Sequence, residues 1–282
     1  MSYLPVTAPF FVYNYKKGEA YMTIRDIIDL LESQGEWVNR SCTRDRILFG
    51  DDQRKISKVI TCWVATNKVI QYAIEHDIHF IISHENPFYL ASTSLPTLIY
   101  KAQKEKEALL KEHDITIYRC HDLWDVYPEY GIRDSWANTL DLDFEESQDH
   151  SYYRYTHDIN MTVEECAQHI INKIKPYHQQ GIEIIGDKTQ IIHRLGIGTG
   201  ACTDVFEMYE EGADACLVSD DGVSNWIGVQ WAVDHDIPLI VINHMTCEAP
   251  GMEHMVEYLS KQFPEVTFTF VSNDYGIYHM DE

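Results

Sequence analysis

Basic residues are scarce in this chain of 282 residues: 22 lysines and arginines face 45 aspartates and glutamates, a formal net charge of −23. So negative a chain repels phosphate backbones and anionic lipid, which argues against nucleic-acid and membrane partners. Long apolar runs are also missing, and no stretch of about 18 uninterrupted apolar residues occurs, so no membrane-spanning helix is expected. Residues 1–11 carry no basic segment and are interrupted by Pro5 and Pro9, so no secretory signal is expected. The seven cysteines are an odd number and none stands in C-x-x-C spacing, which excludes a disulfide framework and reads as free thiols in a reducing, cytoplasmic compartment. No G-x-S-x-G turn is present, so the usual serine-hydrolase elbow is excluded.

What remains is an ordinary globular composition, 45% hydrophobic and 24% charged, in a chain long enough for one large domain or two modest ones. Apolar periodicity predicts a helix beginning near Thr23, with Asp26 completing a capping box. A strand over 58–65, a helix over 67–75, a strand ending at Ser83, a helix over 96–112 and a strand over 115–120 follow, then a short helix over 132–140. This β-α-β-α-β rhythm specifies an α/β fold with a parallel or mixed sheet. Residues 141–158 are acidic and aromatic and read as a loop or crossover, with Tyr152, Tyr153 and Tyr155 free to pack on a neighbouring surface. The second half repeats the style, with a helix over 162–175, strands over 182–185 and 190–197, and a glycine loop. A helix ending at Glu211, a strand over 215–219, a helix over 226–234, a strand over 239–243, a helix over 250–263 and a strand over 266–271 complete it.

Three strand-like runs end in a histidine with a carboxylate close behind. Phe80-Ile81-Ile82-Ser83 leads to His84-Glu85. The run from Ile115 to Cys120 leads to His121-Asp122, with Asp125 four residues after the histidine. Leu239-Ile240-Val241-Ile242-Asn243 leads to His244, with Glu248 four residues on. Ligand sites of open α/β sheets form outside the carboxyl ends of the strands, so three such endings at one edge would assemble a divalent-metal site. His244 and Glu248 fall on one face if the segment is helical. A set this rich in carboxylates suits iron, manganese or a two-metal site, whereas a lone zinc more often takes thiolate and imidazole. The bland alternative is three unrelated surface clusters.

A rival lies in Gly196-Ile197-Gly198-Thr199-Gly200-Ala201, which matches the dinucleotide fingerprint G-x-G-x-x-G/A and has Asp220 and Asp221 about 20 residues on. The loop could hold a nucleotide, hold a bare anion, or simply turn the chain. Cys120 beside His121 imitates a nucleophile and base, but adjacent strand residues point to opposite faces. Cys247, between His244 and Glu248, is either a thiol near the metal or a small buried residue.

The order and spacing of these pieces resemble the NIF-three-like proteins (NGG-interacting factor three), often named GTP cyclohydrolase I type 2 homologs. The resemblance covers roughly residues 22–140 and 190–272. Residues 46–51, Arg-Ile-Leu-Phe-Gly-Asp, resemble the family's GL-x-x-GD segment, and residues 80–87 resemble I-x-x-HH-P. His121 to Asp125 resembles H-T-N-L-D, and the residues from Gly131 to Ala137 resemble G-x-N-D-x-x-A. Gly196 to Gly200 resembles the G-G-x-G loop, Val218-Ser219-Asp220 partly keeps a TGD motif, and His244 to Glu248 resembles GH-Y-x-x-E. Glu85 stands where the family has its second histidine and either ligates through oxygen or weakens one metal position.

The resemblance implies two interlinked three-layer α/β domains with mixed sheets, one formed by residues 1–140 with 243–282 and the other by 141–242. It implies about two divalent metal ions per chain (iron, manganese or zinc), held by His84, Glu85, Asp125, His244 and Glu248 with Asp125 and Glu248 bridging. It also implies a homohexamer with its metal sites facing an internal cavity. His121 and Glu85 are the expected proton-handling residues. The expected function is a dinuclear metal-dependent hydrolase acting on a small molecule; the alternative is a non-catalytic metal-binding or regulatory hexamer, a metallochaperone or adaptor.

Overall fold

The structure, a computed structural model, describes residues 22–89, 96–148, 151–272 and 276–280; the reading of residues 1–11 lies outside them. The chain runs α1 (Ile24–Glu32), β1 (Arg46–Phe49), β2 (Lys58–Val64), α2 (Asn67–Glu75), β3 (Phe80–Glu85), α3 (Pro96–Glu112), β4 (Thr116–Arg119), α4 (Asp122–Asp125) and α5 (Ile132–Leu140). It continues through β5 (Arg154–Tyr155), β6 (Met161–Thr162), α6 (Val163–Ile174), β7 (Glu183–Ile185), β8 (Ile191–Ile192), β9 (Leu195–Ile197) and α7 (Val205–Glu210). The last elements are β10 (Ala215–Ser219), α8 (Trp226–Asp234), β11 (Leu239–Ile242), α9 (His244–Gln262) and β12 (Thr267–Phe270).

Two five-stranded mixed sheets result, as the α/β rhythm predicts. The first has the order β1-β4-β3-β2-β12, parallel except for β1; the second has the order β5-β9-β10-β11-β7, with β5 and β7 antiparallel at its edges. Each sheet is the middle of three layers, and the two-residue period of the strands does the sorting. Phe80, Ile82, Tyr118 and Cys120 face α1 and α9, while Ile60, Cys62, Ile81 and Ile117 face α2 and Leu110 of α3. In the second sheet Ile197, Leu217, Ile240 and Ile242 pack on α5 and α6, and Cys216, Val218, Leu239 and Val241 pack on α7 and α8. The predicted capping box on α1 is present, with Thr23 and Asp26 bonded reciprocally.

Helices α5 and α9 join the sheets. Ile132 belongs to the core of the first sheet, whereas Trp136, Ala137 and Leu140 belong to that of the second. Helix α9 starts directly after β11 of the second sheet and lies against the first. There Thr61 Oγ1 donates to Met252 O at 2.8 Å and Trp124 Nε1 donates to Gly251 O at 2.9 Å.

Several elements differ from the sequence reading. Helix α9 begins at His244 rather than at residue 250, and Pro250 sits inside it. Proline removes one intrahelical hydrogen bond, but burial of most of the helix along both sheets outweighs that loss. The strand read over 190–197 breaks at His193-Arg194 into β8 and β9, because both backbone N–H groups turn to the Asp214 carboxylate. The loop over 141–158 contains the short strand β5, and Tyr153 and Tyr155 are buried under α7 and β10. Strand β3 extends through His84 to Glu85, so both residues ride on the sheet itself.

Gly251 marks a close approach of α9 to the start of α5: a Cβ there would lie 2.6 Å from Ile132 Cδ1 and 2.7 Å from Ile132 Cα. Alanine favours a helix over glycine by about 1 kcal/mol, but overpacking against backbone costs about 1–3 kcal/mol. Gly251→Ala is therefore expected to destabilise the protein, seen as a lower midpoint in urea; an unchanged or raised midpoint would contradict this packing.

Candidate metal centre

The site lies where β3, β4 and the start of α9 converge. The apolar run Phe80–Ile82 drives β3 into the core, and His84 follows the same face to full burial. His84 Nδ1 lies 3.1 Å from Cys120 O, so that nitrogen is spent as a donor to the backbone. His84 Nε2 is buried and has no hydrogen-bond partner among the described residues. It faces Asp125 Oδ1 at 3.3 Å and Glu248 Oε2 at 3.4 Å.

Asp125 arrives on the one-turn helix α4, which the sequence reading did not include. Asp45, almost wholly buried, builds that turn by accepting His121 N at 2.5 Å and Leu123 N at 3.0 Å. Asp122 pins it from outside by accepting Thr43 Oγ1 at 2.9 Å and Arg44 N at 2.7 Å. The turn brings His121 Nδ1 within 3.4 Å of Asp125 Oδ2 and 2.9 Å of Asp122 Oδ1, and the His121 ring stacks on His84 at a centroid distance of 4.5 Å. His121 Nε2 is 3.4 Å from Glu85 Oε1, and Glu85 Oε2 accepts Arg119 Nη2 at 2.6 Å.

The third arm is the first turn of α9, so the one-face expectation for His244 and Glu248 is met: His244 Nε2 lies 2.8 Å from Glu248 Oε2. Asp220 accepts His244 N and Asn243 Nδ2, each at 2.7 Å, and Asp221 Oδ2 holds His244 Nδ1 at 2.8 Å. Trp63 Nε1 donates to Glu248 Oε2 at 2.7 Å. The glycine loop passes over this arm. Gly200 has φ +53°, and a Cβ on it would lie 2.6 Å from His244 Nε2 and overlap Glu248 Oε1. The two acids that a dinucleotide fingerprint would offer to a ribose instead anchor α9. The loop leads into a 3₁₀ turn (Gly200–Cys202) rather than directly into a long helix, and α7 is capped by Asp204. Cys247 is a buried packing residue whose thiol donates to His244 O, and Cys120 is buried in the first core.

Electrostatics follow from burial. Full burial pushes His84 down to about 4 against the pull of Glu248, so its Nε2 carries a lone pair at neutral pH. Burial raises the Asp125 carboxyl to about 7, with Glu248 adding to the rise and His121 opposing it. Burial opposes charge on His121, but hydrogen bonds to Asp122 and Glu85 prevail and raise it to about 10. His244 is raised to about 9, its burial overridden by Glu248 and Asp221. Burial disfavours charge on Glu85 as well, yet His121, His84 and Arg119 hold its carboxyl well below the usual range.

A lone pair pointed at two carboxylates from 3.3 and 3.4 Å is repulsive unless a proton or a metal cation stands between them. Donors about 2.1 Å from a tetrahedral metal are spaced by roughly 3.4 Å, so the separations suit such an ion. Among the described residues, two sets of three groups have donor atoms within 4.8 Å of one another, His84 with His121 and Asp125, and His84 with Glu85 and Glu248. His244 is in neither set and joins through Glu248. The structure thus brings His84, Glu85, His121, Asp125, His244 and Glu248 to one place. The sequence reading missed the support: Asp45, Trp63 and Arg119 carry no motif signal, and Asp221 was visible only as part of the rival fingerprint.

Comparison with known proteins gives the family and the fold. A curated protein of Clostridium perfringens named GTP cyclohydrolase 1 type 2 homolog is 26% identical over 261 residues, covering 90% of this chain and 97% of that protein. A protein of the same name from Haemophilus influenzae is 23% identical over 246 residues, covering 84% and 96%. Among solved structures, a Bacillus cereus protein related to NIF3 superposes with a TM-score of 0.77 at 12% identity, covering 93% of this chain and all of that one, a likeness of fold. The sequence profile of the Duf34/NIF3 (NGG1p interacting factor 3) family matches residues 22–275. The chain belongs to that family.

Proposed function

We propose that this protein is a divalent-metal-dependent hydrolase whose metal is held by His84, Asp125, His244 and Glu248. The observation that carries the reading is the buried, partnerless His84 Nε2 facing two buried carboxylates. When bound, a divalent ion would supply an acidified water and an electrophile for the substrate. The chain's own residues supply the rest. Trp63 and Asp221 orient Glu248 and His244, as outer partners of metal ligands commonly do. His121, clamped between Asp122 and Glu85, keeps a proton on Nε2 that can pass to a leaving group, and Glu85 Oε1 orients that ring. The deep burial of His84 and Glu248 keeps water away from the ligand side, while His121, His244 and Glu85 keep part of their surface exposed on the reacting side. The name of the curated relatives points to cyclic amides or nucleotides as the first substrates to try.

An assembly fits the same reading. Trp226 is 67% exposed and Ile227 54% exposed on α8, with Phe206 and Tyr209 of α7 beside Trp231, an apolar surface that self-association would cover, and the homohexamer implied by resemblance is the assembly proposed. All seven cysteines are free, which fits a reducing cytoplasm, and no helix among the described residues is long and apolar enough to cross a membrane.

The metal-loaded protein is expected to hydrolyse a member of a panel of nucleotides, cyclic amides and phosphoesters, with the activity lost in Asp125→Ala. Turnover that survives complete metal removal would sink the proposal, and firm metal binding without turnover would favour a metallochaperone or adaptor.

Proton displacement gives a second test. In the metal-free protein His244 titrates at about 9 and Asp125 at about 7, so a metal must displace about one proton near pH 8 and about two below pH 6. Affinity should therefore fall about tenfold per pH unit from 9 to 7 and more steeply below. Titration calorimetry in buffers of different ionisation enthalpy reads this directly; pH-independent binding would place the metal elsewhere.

Gly200→Ala should lower metal affinity at least about tenfold, as loss of support around ligands commonly does, without unfolding the protein. Metal retention equal to the parent protein would show that the loop does not press on His244 and Glu248.

A further inference from the structure

Both sets of three donors depend on one atom. His84 Nδ1 is committed to Cys120 O, so Nε2 is the only nitrogen this residue can offer, and one imidazole nitrogen binds one ion. The two sets cannot be filled together. With His244 and Glu248 taken by the first ion, as in the ligand set proposed above, a second ion would have to rely on Glu85 with His121 and a share of Asp125 or Glu248.

Glu85 is already occupied. Its Oε2 accepts Arg119 Nη2 at 2.6 Å and Asn86 N at 3.2 Å. Arg119 is only 9% exposed and is fixed by a second bond, Nε to His84 O at 3.0 Å. The guanidinium therefore cannot swing away without losing the backbone contact that holds it beside the histidine. A guanidinium keeps its charge at any working pH. An ion placed on Oε1 would displace the His121 contact and face that charge across a single carboxylate, where like charges repel. His121, the remaining donor, is held at Nδ1 by Asp122 and faces Glu85 with Nε2.

We propose that this chain holds a single divalent cation, and that the Arg119 guanidinium paired with Glu85 occupies the electrostatic place of a second one. The inference rests on the metal-centre reading and goes beyond it by setting the count. It leaves His121 off the metal as an imidazole held between carboxylates, and it separates this chain from the dinuclear centre that family resemblance implies.

The test uses manganese alone. Metal-free protein is loaded with excess Mn²⁺, desalted, and assayed for manganese per chain by mass spectrometry and for ion pairing by electron paramagnetic resonance. The wild type should retain about one ion per chain with the six-line spectrum of isolated Mn²⁺. The double variant Glu85→His with Arg119→Ala should move towards two ions per chain with an exchange-coupled multiline spectrum. Two coupled ions in the wild type would overturn the inference while leaving the metal centre intact. A folded double variant that still stops at one would overturn the role given to Arg119. No bound ion in the folded wild type would overturn the metal-centre reading and this inference together. The wild-type count decides by itself should the double variant fail to fold.

Discussion

Asp125 and Glu248 bury two carboxylates against a histidine nitrogen that bears no proton at neutral pH, and much of the surrounding structure is arranged around that contact. Burial works against charge, so three elements that each bring part of the cluster have to be held in place from outside it. Asp45 fastens the α4 turn, Asp220 and Asp221 fasten the start of α9, and the Cys120 carbonyl turns His84. Each of these supports comes from a different segment, so the site depends on the fold as a whole.

Helix α9 supplies the link between fold and chemistry. It leaves the second sheet, presents His244 and Glu248 in its first turn, and spends its remaining length packed on the first sheet. Because the ligands sit at its N-terminal end, the helix that joins the two sheets also carries residues that would bind the metal. Loss of packing along α9 should therefore reach the centre even when no ligand is altered.

The strand endings were legible because ligand sites of open α/β sheets form at strand carboxyl ends, and His84, His121 and His244 each follow a strand-like run. The i, i+4 pairing of His244 with Glu248 was legible for the same reason. The helix start at His244 was not, because Pro250 reads as a first-turn residue and only burial against both sheets shows that the helix continues through it. The supporting residues were illegible in principle. Trp63 and Arg119 lie in strands that read as ordinary core or edge, and their partners are 185 and 34 residues away in sequence. Glu85 was legible as a departure from the family pattern, but its consequence depends on Arg119, which only the fold places beside it.

The most direct test of the account is anomalous diffraction from crystals of the protein soaked in Zn²⁺ or Mn²⁺. A peak is expected about 2.1 Å from His84 Nε2, shared with Asp125 and Glu248. A well-ordered site without a peak there, or a peak confined to other residues, would contradict it.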